Sequence, residues 1–289
     1  MPKCVRCGKR GLRLELDFNG FCPECSSEYR RLRRERAALL ESVKKKKALI
    51  RLESIPLVDI YLSSSPVKRR RGYDPVPTSR ILSSGSYGDF VVFDTETTGY
   101  APSRDRIIEL AAVRFSDGQP VCRFSTLIDP ERPIPLEATE VNNITDEMVS
   151  CAPKLYQVLP AFEDFVGGSP MVAHNLHFDL KCLYYSGSNI FDVKRKYFDT
   201  LEIARQVLKR HRRIYNPYPD PDNITEEEYY YGNYGEDYEY NDVENHKLGT
   251  LCEYYGIVHP GPHRADADAL VTGDLFLRLV EDKISRSRR

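Results

Sequence analysis

The stretch VVFDTETTGY, residues 91–100, carries an apolar run into two acids, Asp94 and Glu96, one residue apart. Residues i and i+2 of a strand share a face, so the two carboxylates converge if the strand extends that far. Held together they repel, and they are costly to desolvate unless something positive sits between them. Hard carboxylate oxygens suit Mg2+ or Mn2+. HNLHFD (174–179) adds Asp179 in the first turn of a helix that follows a strand, and HRADADA (263–269) adds Asp268 in the first turns of another. His263 precedes that second helix, in a loop preset by Gly261 and Pro262, where it can reach over a site that Asp268 supports. Four carboxylates from different elements and one loop histidine make a two-metal site with a base. Such a site suits in-line attack of water on a phosphodiester, with His263 taking the proton. The nearby His174 and His177 read on their own as packing or hydrogen-bonding residues, and Asp192 and Asp199 as a turn residue and a helix cap.

An α/β frame has to position these residues. Phe90–Phe93, RIIELAAVRF (106–115) and VCRFSTLID (121–129) read as strands, with Asp117-Gly118 as the hairpin turn between the last two. Helical patterns follow at about 145–150 and 154–166. MVAH (171–174) is a further strand, followed by a helix from about His177. YFDT (197–200) is a short strand feeding the helix LEIARQVLKR. HKLGTLCEYYGI (246–257) reads as a helix ending at Gly256, and 264–282 as a last amphipathic helix. A hairpin meander followed by alternating helices and strands predicts a mixed sheet flanked by helices. Residues 214–245 interrupt the order with eight tyrosines, ten acids and no Lys or Arg, and read as a mobile acidic insertion.

These segments, in this order, resemble the DEDD superfamily of 3′–5′ exonucleases, in the DnaQ-like (DEDDh) branch with an HxAxxD third motif. FDTETTG resembles the first motif, HNLHFD the second and HRADADA the third; NNITDEM, DTLEIAR and KLGTLCEYYGI also look like family segments. The exonuclease domain is expected over 88–285. The resemblance implies an RNase H-like fold, two Mg2+ or Mn2+ ions, and release of 5′-mononucleotides from 3′ ends. It assigns Asp94 to both metals, Glu96 and Asp268 to the one carrying the nucleophile, and Asp179 to the other. His263 is then the general base. Thr97 and Thr98 lie along the terminal nucleotide through their backbone, and His174, Asn175 and Phe178 line the site. Two positions depart from the family pattern: Asn143 stands where Gly is usual, and Asp266 where an apolar residue is common.

The N-terminal third differs in character. Cys4-x2-Cys7 and Cys22-x2-Cys25 suit tetrahedral Zn2+ and predict a zinc-ribbon-like module over 1–27, with a redox dithiol as the rival. So small a module builds no core, and zinc would supply its folding energy. Cys122, Cys151, Cys182 and Cys252 read as core thiols. Residues 28–53 predict a long basic helix. Residues 54–87, rich in Ser and Pro and carrying VKRRR, predict a flexible basic linker.

Residues 1–86 hold 20 Lys and Arg against 9 Asp and Glu, so a basic arm joins an acidic remainder. That asymmetry makes nucleic acid the expected partner of the arm. The family resemblance implies single-stranded 3′ ends and a polymerase or repair complex as partners, with DNA placed ahead of RNA; no single residue decides the sugar, and RNA 3′-end trimming is the alternative activity. A scaffold that uses an exonuclease fold to dock on such a complex is the rival function. The acidic insertion then either mimics a strand or is a plain spacer. No run approaches the roughly 18 apolar residues of a membrane helix, nor does MPKCVRCGKR read as a signal peptide. The expected location is the cytoplasm, with nucleoid or nucleus as alternatives.

Overall fold

The computed structural model describes residues 52–209 and 242–287 apart from 66, 69, 83, 84 and 86. It also describes Cys22, Pro23, Glu24, Ser27 and Arg31, and the backbone of 212–215 and 236–239. The zinc-ribbon expectation (Cys4, Cys7, Cys25), the basic helix over 28–51 and the centre of the acidic insertion lie outside these residues; Cys22 itself is buried. Two compact units result. One joins 48–207 to 247–289 and carries everything discussed below. The other takes in 208–246, where β6 (Arg212–Tyr215) and β7 (Glu236–Glu239) form an antiparallel ribbon.

The larger unit is built on a five-stranded mixed sheet in the order β3-β2-β1-β4-β5. β1 (Phe90–Thr97), β2 (Ile107–Ser116) and β3 (Gln119–Leu127) form the antiparallel meander expected from the apolar runs and the Asp117-Gly118 turn. Both turn residues have positive φ, as a two-residue hairpin requires. β4 (Met171–Ala173) and β5 (Tyr197–Asp199) then add in parallel beside β1. The α-helices of this unit are, in chain order, α1 (Leu136–Asn142), α2 (Asp146–Val149), α3 (Leu155–Val166), α4 (Leu176–Tyr185), α5 (Thr200–Val207), α6 (Leu248–Tyr255) and α7 (Ala265–Ser287). The short α1 was not anticipated. It ends at Asn143, whose φ of 59° is left-handed. That explains the departure from glycine, since Asn is the other residue that adopts this cap readily.

The alternation of β1 sets the layers. Val91 and Phe93 face a core shared with Phe162 of α3 and with Leu176, Leu180 and Leu183 of α4. Phe90 faces the other way, stacked on Phe115 at 4.8 Å and edge-on to Phe276 of α7 at 5.0 Å. Gly273 lets α7 come that close, because a Cβ there would overlap the Phe115 ring.

The segment expected to be a flexible linker is instead a strap on this unit. Leu57 bridges to Arg123 on the β3 edge, with Val58 N donating to Arg123 O and Arg123 N to Pro56 O. Ser63 N donates to Gln157 O on α3. Val58, Ile60, Val67, Tyr73 and Val76 pack on the α3–α4 core. At the far edge Ser79 N donates to Tyr197 O of β5, and Tyr197 N to Ser79 Oγ. Ile55 and Ile81 are buried. Isolated apolar residues and edge hydrogen bonds, invisible to a composition-based reading, hold the strap. It covers both open edges of the sheet, where unpaired strand groups otherwise invite association.

The scattered cysteines divide. Cys182 and Cys252 are buried, and burial pushes the Cys252 thiol up to about 12, whereas Cys151 is exposed at the surface and is no core thiol. No helix among the described residues is long and apolar enough to cross a membrane.

Candidate active site

The alternation that turns Phe90 toward α7 carries on along β1 to Asp94 and Glu96. Phe90 meets Phe276, two helical turns beyond Asp268 on the same helix, so the end of the strand meets the start of α7. Oxygens of Asp94, Glu96 and Asp268 lie within 4.8 Å of one another. Asp179 arrives from the opposite layer. Its Oδ1 accepts the N–H of Thr95 at 3.1 Å and the Thr95 hydroxyl at 2.7 Å. Asp179 and Asp268 each occupy the fourth residue of their helices, where the helix N-terminus favours negative charge. The site therefore lies in the C-terminal half of β1, where the sheet's two helical layers converge.

A cavity of about 460 Å3 opens there. Asp94, Glu96, Thr97, Thr98, His174, Asn175, Phe178, Asp179, His263 and Asp268 all line it, together with Tyr100 and, from α1, Ala138 and Val141. His263 is exposed, with a left-handed φ of 62°, at the end of the His259–His263 loop. Asn175, also left-handed at 66°, turns the chain from β4 into α4 while Asp199 Oδ1 accepts its N–H at 3.1 Å. Asp199 also accepts Leu201 N, the helix-cap role expected of it. His174 Nδ1 pairs with Thr200 Oγ1 at 2.9 Å. Thr98 lines the cavity with its N–H donated to Arg106 O at 2.8 Å.

Asp266 does not add charge to the site. It pairs with Arg123 of β3 at 3.2 Å, and Arg123 in turn donates to Ile55 O of the strap. Glu109 and its partnership with Arg264 escaped the sequence reading. Glu109 lies opposite Glu96 in the β1–β2 register and is 1% exposed. It accepts two hydrogen bonds from Arg264 through Nη2 and Nε, at 2.7 and 3.2 Å, and the N–H of Ala265 at 3.0 Å, so one carboxylate clamps the start of α7. A lone acid inside the apolar run IIELAAV was the available signal.

The carboxylates are under electrostatic load. Burial, then the charges of Asp179, Asp268, Glu96 and Glu109, raises Asp94 well above the ordinary carboxylate range. Burial, then Asp268 and Glu109, pushes Glu96 up to about 8. Asp179 is pushed to about 7 by burial, although its hydrogen bonds to Thr95 oppose the shift. Such crowding is relieved by bound cations. Asp268 Oδ1 is buried and accepts no aligned hydrogen bond, with His259 Nε2 2.6 Å away. The donor set is all carboxylate, as hard divalent cations prefer.

A family model described as Exonuclease (RNase_T) matches residues 91–276. The chain belongs to this exonuclease family, and its fold is the RNase H-like mixed sheet that the motifs implied. Among curated proteins it is 34% identical over 200 residues to the DNA polymerase III PolC-type of Halalkalibacterium halodurans, covering 68% of this chain and 12% of that protein. It is 35% identical over 213 residues to that of Thermotoga maritima, covering 72% and 13%. The match thus spans about an eighth of those relatives' length. Among solved structures it is similar to Exonuclease X in complex with 5′ overhanging duplex DNA (TM-score 0.45, 23% identity, 66% of this chain and 91% of that one). It is also similar to E. coli Exonuclease I in complex with a dT13 oligonucleotide (TM-score 0.47, 19% identity, 69% and 42%).

Proposed function

We propose that this exonuclease removes nucleotides from the 3′ end of DNA by metal-dependent hydrolysis, releasing 5′-mononucleotides. The convergence of Asp94, Glu96 and Asp268 oxygens within 4.8 Å, in a cavity that an exposed histidine also lines, carries the reading. Asp94, Glu96, Asp179 and Asp268 are the residues that would hold two Mg2+ or Mn2+ ions. Bound there, the ions supply charge neutralisation at the phosphate and a more acidic water. The protein's residues do the rest. His263, neutral, accepts the proton of the attacking water. The water oxygen bonds to phosphorus as the P–O3′ bond breaks. The O3′ of the shortened strand takes up a proton from solvent water to become a 3′-hydroxyl, His263 returns its proton to solvent, and the phosphate goes with the released nucleotide. Thr95 holds Asp179 from behind, and Tyr100, Val141 and Phe178 offer apolar surface to sugar and base.

DNA is favoured over RNA because the curated relatives are DNA polymerases. Their matched portion is an eighth of a polymerase, which favours work beside a polymerase; docking without catalysis is the rival. Cys4, Cys7, Cys22 and Cys25 would hold one structural Zn2+, giving the basic arm a folded tip.

The test uses 3′-overhang DNA and matched RNA with Mn2+, comparing wild type with His263→Ala and Asp94→Asn. A ladder shortening from the 3′ end, faster on DNA and reduced at least 100-fold in both variants, is expected. An intact substrate with folded, metal-loaded wild type would transfer the assignment to docking.

A further inference from the structure

We infer that His259 is a positioning residue for Asp268, a second histidine with a task distinct from that of His263. The inference rests on the metal-dependent reading above.

The loop HPGPH places a histidine at each end, with two prolines limiting how the segment between them bends. The two histidines meet different surroundings. His263 is exposed and lines the cavity. His259 turns inward, its side chain 13% exposed, and its Nε2 lies 2.6 Å from Asp268 Oδ1. That oxygen is buried and accepts no aligned hydrogen bond, so the ring stands at contact distance without full alignment. A buried carboxylate oxygen left so is costly, and a small rotation of the imidazole supplies its donor.

The other side of the ring fixes which nitrogen can donate. Gly261 N donates to His259 Nδ1 at 3.3 Å. Nδ1 is therefore the acceptor in the neutral ring, and the proton resides on Nε2, facing Asp268. This is the arrangement by which an outer histidine or carboxylate orients a metal-binding group and tunes its basicity. It also argues against His259 as a ligand itself, since a protonated Nε2 has no lone pair to give. The Glu109–Arg264 clamp fixes the backbone where α7 begins, whereas His259 acts on the carboxylate. Asp268 is thereby held in one rotamer, with its remaining lone pairs directed to a cation.

The test compares wild type, His259→Ala and His259→Gln in the full chain. Binding of Mn2+ and of Mg2+ is measured by calorimetry without nucleic acid, and kcat and KM are measured on a single-stranded oligonucleotide. His259→Ala is expected to weaken both metals by about 10- to 100-fold and to lower kcat with KM unchanged. His259→Gln, whose amide N–H can occupy the position of Nε2–H, is expected to recover most of both. Wild-type metal affinity in the alanine variant would overturn the inference. So would a folded glutamine variant as weak as alanine, or a loss confined to Mn2+, which would mark a nitrogen ligand. Should the alanine variant fail to fold, the glutamine variant decides by the same criterion. Failure of wild type to bind either metal would instead remove the metal-dependent reading itself.

Discussion

Thr95 stands between the two carboxylates of β1 and bonds twice to a third, donating its N–H and its hydroxyl to Oδ1 of Asp179 at 3.1 and 2.7 Å. The strand that turns Asp94 and Glu96 to one layer thus uses the residue between them to grip the other. A hydrogen bond to a charged group is worth about 1.5–3 kcal/mol. Thr95→Val keeps the shape and the N–H and removes the hydroxyl. At pH 8, where Asp179 is ionised, the variant should lose about that much in urea unfolding and bind Mn2+ more weakly. An unchanged urea midpoint would show that the hydroxyl does not hold Asp179.

Glu109 and Arg264 should prove unequal to any exposed pair. Glu109 is 1% exposed and serves both the guanidinium and the N–H of Ala265. Removing Glu109 leaves the buried Ala265 N–H without its acceptor, at a cost of about 1–3 kcal/mol, while the half-exposed Arg264 side chain is solvated. Glu109→Ala should therefore lower thermal stability and, by loosening the start of α7, reduce activity. A double-mutant cycle with Arg264→Ala should show coupling above 1 kcal/mol; additive effects would leave the clamp without energetic content.

The metal-free protein should weaken as pH rises. Glu96 moves from 4.5 unfolded to about 8 folded, and Asp179 from 3.8 to about 7. The folded state therefore keeps protons that the unfolded state releases. That stabilisation is complete below about pH 4 and is lost progressively up to about pH 8. In EDTA the melting temperature should fall between pH 5.5 and pH 8, and Mn2+ should raise it most at pH 8, where the ligands are free of protons. A flat melting temperature in EDTA would contradict the raised values.

The strap should behave as part of the domain. Ile55→Ala empties a buried site and should cost about 2–4 kcal/mol despite lying in a Ser/Pro-rich segment. Limited proteolysis should spare 55–81 in the wild type. Rapid cleavage there, with the remainder intact, would return the segment to the status of a linker.

The catalytic frame was legible because its signals are local and dense. Long apolar strands, an Asp-Gly turn and three short acidic motifs identify themselves without knowledge of their neighbours. The strap was not, because its apolar residues are sparse and unevenly spaced, and the groups that its backbone bonds lie on β3, α3 and β5, far along the chain. Asp266 departs from the family pattern, and the Arg123 that neutralises it lies far away in sequence on β3. Glu109 and His259 were hidden in a strand pattern and in a chain break, where single polar residues attract little notice. Tertiary pairing gave each its role.

The strap precedes the domain in sequence, yet its backbone partners come later, Arg123, Gln157 and Tyr197, and Thr78 Oγ1 donates to Glu202 later still. During synthesis it leaves the ribosome before any of these partners and finds its last docking edge only once β5 exists. Its apolar residues must wait in the open through the making of more than a hundred residues, interspersed with the Ser and Pro that keep them from associating. A composition that looks like a linker thus describes the segment as it is born, and the docked strap describes it once long-range contacts reward closure.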